Sequence, residues 1–172
     1  MADVWRTLAR WRVTLGYVLG AAALLFARPT SRSLAIGAAV GAIGEAVRIW
    51  AAGHLEKGRE VTTSGPYAMT RHPLYLGSSI MGAGFAIAAN SVPVAVLVCA
   101  YLALTIVAAV RSEEAHLTEK FGATYPAYRA GRAATVEREF SLARAWRNRE
   151  YRALLGFAAV LGLLAVRLLI RL

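Results

Sequence analysis

Five apolar runs, at residues 13–27, 34–52, 74–89, 94–110 and 153–170, constrain this chain more than any other feature. Such runs are too long and too numerous for a soluble core. With 58% hydrophobic and 17% charged residues, the chain falls well below the roughly 25% charge of soluble domains. The expected fold class is therefore all-α: a polytopic membrane helical bundle of about five transmembrane helices. It is expected to form one domain over 1–172. The third run, of 16 residues, is short against the roughly 20 of a full crossing. The uncharged reversal Asn90-Ser91-Val92-Pro93 makes the third and fourth runs an antiparallel helical hairpin.

The net charge of +10 has a membrane explanation. With five spans, residues 1–12, 53–73 and 111–152 share one side and carry three, three and nine Lys or Arg. The positive-inside rule puts that side, with the N-terminus, in the cytoplasm. A nucleic-acid partner would need a soluble basic face, and none is expected. Trp5 and Trp11 among Arg6, Arg10 and Arg12 suit a headgroup region, as do Trp146 and the arginines from Arg144 to Arg152. Arg167 and Arg171 are expected to snorkel at the end of the last span. Arginine- and alanine-rich usage points to a bacterial inner membrane. Cys99 is the only cysteine and lies in an apolar run, so neither a disulfide nor a metal site is expected. The first run lacks a small-residue cleavage site and is expected to be retained.

Two polar clusters interrupt this pattern. The first, GPYAMTRHPLYLGSSIMGAG, opens the third run, and the second, RSEEAHLTEKFG, leaves the fourth. Pro73 suits the first turn of a helix. At that helix start the free N–H groups favour an anion, and Arg71 adds a fork for carboxylate or phosphate. Gly77, Gly82 and Gly84 leave one face bare, for another helix or for a flat ligand. Glu113 and Glu114 are adjacent and so diverge by about 100° on a helix; one is expected inward and one outward. Tyr125 and Tyr128 follow Gly122 and could stack on a ring or anchor at the interface. In the second run Gly37, Gly41 and Gly44 allow close helix approach. Glu45 and Arg48 share a face of that helix, either as a self-satisfied pair or as a polar wall of a site. A ligand meeting both clusters would carry a carboxylate or phosphate, a flat ring, hydroxyls and positive charge. S-adenosylmethionine has all four, and NADPH has three.

Taken together, GPYAMTRHPLYLG, GAGFA and EEAHLTEKFGATYPAY resemble the isoprenylcysteine carboxyl methyltransferase and phospholipid methyltransferase group of integral membrane enzymes. The resemblance covers roughly residues 44–129. It implies a small helical bundle that holds S-adenosylmethionine between the hairpin and a cytoplasmic connector. By that resemblance Arg71, His72, Pro73, Tyr75 and Gly77 form the first cofactor motif. Gly82 and Gly84 match the glycine pair, Glu113 and Glu114 the paired glutamates, and Tyr125 and Tyr128 the aromatic closing segment. Arg71 and His72 are expected to hold the methionine carboxylate, and a glutamate the ribose hydroxyls or the amino group.

The implied reaction is in-line methyl transfer to a lipophilic acceptor entering from the membrane lipid. A carboxylate acceptor is already ionised at neutral pH and needs no base. It needs positioning, with Arg48 beside Glu45 as the anion-binding wall. An amine acceptor needs a base, for which His54, His72 or a glutamate is the candidate. Two other readings stand beside this one: an NADPH-dependent membrane reductase, and a non-enzymatic membrane scaffold or small transporter whose polar clusters are interfacial.

Overall fold

The computed structural model describes residues 18, 20–134 and 136–170. Its elements are α1 (Ser31–His54), a 3-10 turn (Gly65–Ala68), α2 (Pro73–Ala89), α3 (Val92–Phe121), α4 (Thr124–Arg129), α5 (Leu142–Arg147) and α6 (Tyr151–Ile170). The described residues contain no strand, and the fold is an all-helical membrane bundle. Helices α1, α3 and α6 are long and apolar enough to cross a membrane, and α2 is a shorter apolar helix. The expected first span lies largely outside the described residues; its described part is helical over 20–26. The Trp5 and Trp11 region and Arg171 lie outside them altogether.

Local chemistry sets the helix ends. Thr30 caps α1: its hydroxyl accepts from the Ser33 amide at 3.0 Å, and the Ser33 hydroxyl accepts from the Thr30 amide at 2.9 Å. Proline sits in the first turn of both α2 and α3, where its missing N–H costs nothing. Asn90 ends α2 in the left-handed region at φ 48°. α3 has 30 residues, which at 1.5 Å per residue is roughly 45 Å against a hydrocarbon core of about 30 Å. Its last turns, from Arg111 on, therefore stand clear of the apolar layer. Gly122 stops it at φ 53°.

The principal packing contact is α1 against α2. A Cβ on Gly44 would lie 2.5 Å from the Met81 amide nitrogen and 2.6 Å from the Gly77 carbonyl oxygen. One on Gly37 would meet Ala88, and one on Gly84 would come within 2.6 Å of the Gly37 oxygen. Both backbones thus approach to a distance that no side chain permits. Gly41 faces the Phe157 ring of α6, and Gly82 faces Leu102 of α3. At the end of the bundle where α2 turns into α3, Ala23, Ala27, Ala88, Ala89, Val94 and Leu164 make a small apolar core.

Two arginines expected at the lipid surface instead close helix ends. Arg167 donates to the carbonyls of Ala27 and Leu25, each at 2.7 Å. At the opposite end of the bundle, Asn148 donates to the carbonyls of Ala52 at 2.9 Å and Leu55 at 2.8 Å. Arg144 and the Ser141 amide share the Gly53 carbonyl. These are the carbonyls that the last turn of α1 leaves without intrahelical partners. The 141–150 segment is therefore the C-terminal cap of α1, while Trp146, Arg149 and Arg152 stay exposed.

The glycine crossing gives a direct test. Gly84→Leu should abolish the folded, monodisperse form in detergent, since overpacking costs ~1–3 kcal/mol and more when backbone blocks it. Gly162→Ala, where a Cβ meets nothing within 4 Å, should leave thermal stability unchanged.

Candidate active site

The loop after α1 is tied down before it reaches the first polar cluster. The Glu56 amide donates to the Thr62 hydroxyl at 3.2 Å. The Glu56 carboxylate accepts from Arg144 at 2.8 Å and lies 3.5 Å from both Arg138 and Arg147. Arg138 also binds Glu60 at 2.5 Å. Further on, the Thr63 hydroxyl accepts from the Val136 amide at 2.9 Å. Gly65 has φ 56°, and a Cβ there would lie 2.6 Å from the His54 ring. The loop so anchored turns at Gly65–Ala68 and delivers Arg71, His72 and Pro73 to the start of α2.

Glu114 holds that start in place. Its carboxylate lies 3.2 Å from His72 Nε2, 3.3 Å from Arg71 and 3.8 Å from Arg129. One carboxylate on α3 thereby joins the start of α2 to the end of α4. His72 Nδ1 is 4.0 Å from Glu113. The side chain of Glu114 is 20% exposed and that of Glu113 44%. The Tyr128 hydroxyl donates to the Tyr67 carbonyl at 2.6 Å, which fixes α4 over the 3-10 turn.

These elements enclose a cavity of about 480 Å³. From the loop and the start of α2 it takes Leu55, Lys57, Val61, Tyr67, Arg71, His72, Pro73, Leu74 and Tyr75. From α3 it takes Ala109, Ser112, Glu113, His116, Leu117, Lys120 and Phe121, and from α4 Tyr125 and Tyr128. Tyr125 is 2% exposed, and burial with the nearby Glu114 carboxylate pushes its phenol up to about 12. Burial likewise raises Tyr67 and Tyr128 above the usual tyrosine value. All three therefore carry neutral phenols at physiological pH, and those of Tyr67 and Tyr125 are buried with no hydrogen-bond partner among the described residues.

Of the residues singled out from the sequence, Arg71, His72, Pro73, Tyr75, Glu113, Tyr125 and Tyr128 share this cavity wall. Glu114 stands behind it as the clamp, so of the adjacent pair Glu113 faces the cavity, which Glu60 of the loop also lines. Gly77, Gly82 and Gly84 lie elsewhere, in the contacts with α1 and α3. Arg48, Glu45 and His54 are also off the wall. Arg48 Nε donates to Glu150 at 2.6 Å, and its Nη1 to the Ser78 hydroxyl at 2.5 Å and the Leu74 carbonyl at 3.4 Å. Glu45, 3% exposed, lies 4.0 Å from Arg48, and neither of its oxygens has a hydrogen-bond partner among the described residues. His54 packs between Trp50 and Phe140, with Nδ1 2.9 Å from the Trp50 carbonyl.

Sequence reasoning missed Tyr67, Glu150 and most of the α3 stripe. That stripe had a signal: residues 109, 112, 113, 116, 117 and 120 recur at three- and four-residue spacing, the period of one helix face.

Residues 11–124 match the family model for phospholipid methyltransferases. That is well over half the chain, and the protein belongs to the phospholipid methyltransferase family. Among curated proteins it is similar to the nickel-cobalt-cadmium resistance protein NccN of Alcaligenes xylosoxydans xylosoxydans. The two are 32% identical over 120 residues, 64% of this chain and 55% of the relative. The cobalt-zinc-cadmium resistance protein CzcN of Cupriavidus metallidurans (strain ATCC 43123 / DSM 2839 / NBRC 102507 / CH34) is 30% identical over 123 residues, again 64% and 55%. The chain thus spans about half the length of the curated relatives it matches. No solved structure matches it.

The loop that carries the cavity wall has a pH signature. Glu56 is held below the ordinary carboxylate value first by the Arg144 hydrogen bond, which outweighs burial, and then by the charges of Arg147, Arg144 and Arg138. A lowered folded value gives stability that is full above the ordinary value of 4.5 and lost as pH falls through the folded one. Thermal melts from about pH 5 downward should fall more steeply for the native protein than for Glu56→Gln.

Proposed function

We propose that the protein is a membrane methyltransferase that uses S-adenosylmethionine to methylate a lipophilic acceptor, most simply a carboxylate. One observation carries this reading. The start of α2 and, about forty residues on, the consecutive helices α3 and α4 bring Arg71-His72, Glu113 and Tyr125-Tyr128 to one cavity beside the apolar layer. Its volume of about 480 Å³ lies within the roughly 300–1,000 Å³ of small-molecule sites, and its donors fit the cofactor's chemistry. Arg71, its side chain 41% exposed, offers guanidinium N–H groups to the methionine carboxylate beside His72. The Glu113 carboxylate accepts from ribose hydroxyls or draws the amino group. Tyr125, Tyr128 and Phe121 supply flat apolar walls.

When bound, the cofactor supplies an electrophilic methyl group on a sulfonium. The chain's part is to hold the acceptor in line with it and to exclude water. Leu55, Val61, Leu74, Ala109 and Leu117 make that part of the wall apolar. A carboxylate held there needs no base, because it is ionised at neutral pH. Arg48, Glu45 and His54 enter as positioning residues. Arg48 binds the carbonyl of Leu74, a cavity residue, and His54 supports the turn at Gly65. The basic side of the bundle carries this cavity, which supports a cytoplasmic cofactor site.

Calorimetric titration of the detergent-purified protein with S-adenosylhomocysteine tests the reading, with NADPH as control. One-to-one binding of the homocysteine compound, and none of NADPH, is expected. Glu114→Ala and Arg71→Ala should each weaken it at least about tenfold with unchanged elution on size exclusion. Preferential NADPH binding moves the protein to the reductases, and silence with both leaves a scaffold.

A further inference from the structure

Most of the cationic side chains around this cavity are already engaged. Arg48 is held by Glu150, Arg71 and Arg129 by Glu114, and Arg138, Arg144 and Arg147 by Glu56. Lys57, His116 and Lys120 differ: all three line the cavity and are exposed. Among the described residues, none of them is in an ion pair or a hydrogen bond. Lys120 has only the Phe121 ring, 5.9 Å from its Nζ.

Lys120 also reaches the loop that carries Lys57. Lys120 leaves the last turn of α3, and its Nζ lies 3.4 Å from where a Cβ on Gly58 would sit. That places its ammonium across the mouth of the cavity, against the residue next to Lys57. Glu60 and Glu113 share the cavity wall, but no acidic side chain forms an ion pair with either lysine among the described residues. Glu60 is bound to Arg138 at 2.5 Å, Glu56 is surrounded by arginines, and Glu113 lies beside His72. Glu119, one residue before Lys120, is exposed and in no ion pair among the described residues. Just inside this basic mouth the wall is apolar, with Leu55, Val61, Leu117 and Phe121.

We propose that Lys57, Lys120 and His116 form a rim subsite for the oxyanion of an amphiphile, whose apolar part lies along Leu55, Val61 and Leu117. The inference deepens the proposed function, because it gives the acceptor an anionic group held at the mouth, apart from Arg71 and His72. Ammonium groups at a rim attract phosphate or carboxylate oxygens, and their pull weakens as salt screens them. The adjoining apolar wall distinguishes an amphiphile from a soluble anion, since a free phosphate gains nothing from burying next to leucine.

The test measures octyl phosphate binding to the detergent-purified protein, with inorganic phosphate and octanol as the other arms. Octyl phosphate should bind at least about tenfold more tightly than either, and less tightly as ionic strength rises. The double variant Lys57→Gln/Lys120→Gln should lose about tenfold of that affinity, while Lys57→Arg/Lys120→Arg keeps it. Both variants should bind S-adenosylhomocysteine as the native protein does. Equal octyl phosphate binding by the native protein and the glutamine variant overturns the subsite. Inorganic phosphate binding as tightly as octyl phosphate overturns the amphiphile. Loss of S-adenosylhomocysteine binding in the glutamine variant assigns the lysines to the cofactor carboxylate and overturns the proposal. A native protein that ignores S-adenosylhomocysteine but binds octyl phosphate through these lysines defeats the methyltransferase reading and leaves the rim subsite standing.

Discussion

The close crossing of α1 and α2 is the contact on which the rest of the structure depends. Glycine on both sides, Gly37 and Gly44 against Gly77 and Gly84, lets backbone meet backbone. Hydrocarbon gives no hydrophobic drive for helices to associate, so dispersion over such a close approach is the main attraction available. It also sets the register. A Cβ on Gly77 would lie 2.6 Å from Arg48 Cγ, so the Arg48 guanidinium comes over Ser78 and the Leu74 carbonyl. From there Arg48 meets Glu150 at 2.6 Å and fixes where α6 begins. A charge at that depth is tolerable because it is paired and hydrogen-bonded.

The same crossing delivers the start of α2 to the basic side of the bundle, where Glu114 takes hold of it. Adjacent carboxylates on α3 thereby divide two tasks. Glu114 is drawn toward Arg71, His72 and Arg129, and Glu113, about 100° round the helix, is left facing the cavity. Stability and ligand contact fall to neighbouring residues of the same type. The Glu56 cluster plays a comparable part for the loop, binding it to the cap that closes α1. The cavity is thus walled by segments that are each held from behind, an arrangement that suits a preorganised site.

Several elements were legible before any coordinates. The apolar runs mark α1, α2 and α6 to within about three residues and the start of α3, because helix formation in lipid follows from local composition; α3 runs on through the mostly polar residues 111–121. Pro73, Asn90 and Gly122 marked helix boundaries through their own backbone preferences. The Arg-His-Pro and Glu-Glu motifs pointed to opposite walls of one site, and the structure brings them together. Other residues could not be read this way. Glycine spacing fits a helix crossing and a bare ligand face equally well, and only the position of α1 shows that α2's glycines are covered. The arginines at Arg144 and Arg167 looked like lipid anchors because their partners, backbone carbonyls of α1 and of the segment ending at Ala27, carry no sequence signature.

The sequence by itself determined the class of fold, the helix boundaries and the segments from which a site could be made. Those depend on short-range physics: hydropathy against a bilayer, proline and glycine geometry, charge at helix ends. Tertiary structure alone decided which charges are engaged and which are left open. Arg48 is taken by Glu150, 102 residues away, and Arg71 by Glu114, while Lys57 and Lys120 on the cavity wall have no acidic partner among the described residues. Pairing across such separations depends on where packed helices bring side chains, and a one-dimensional pattern does not contain those distances.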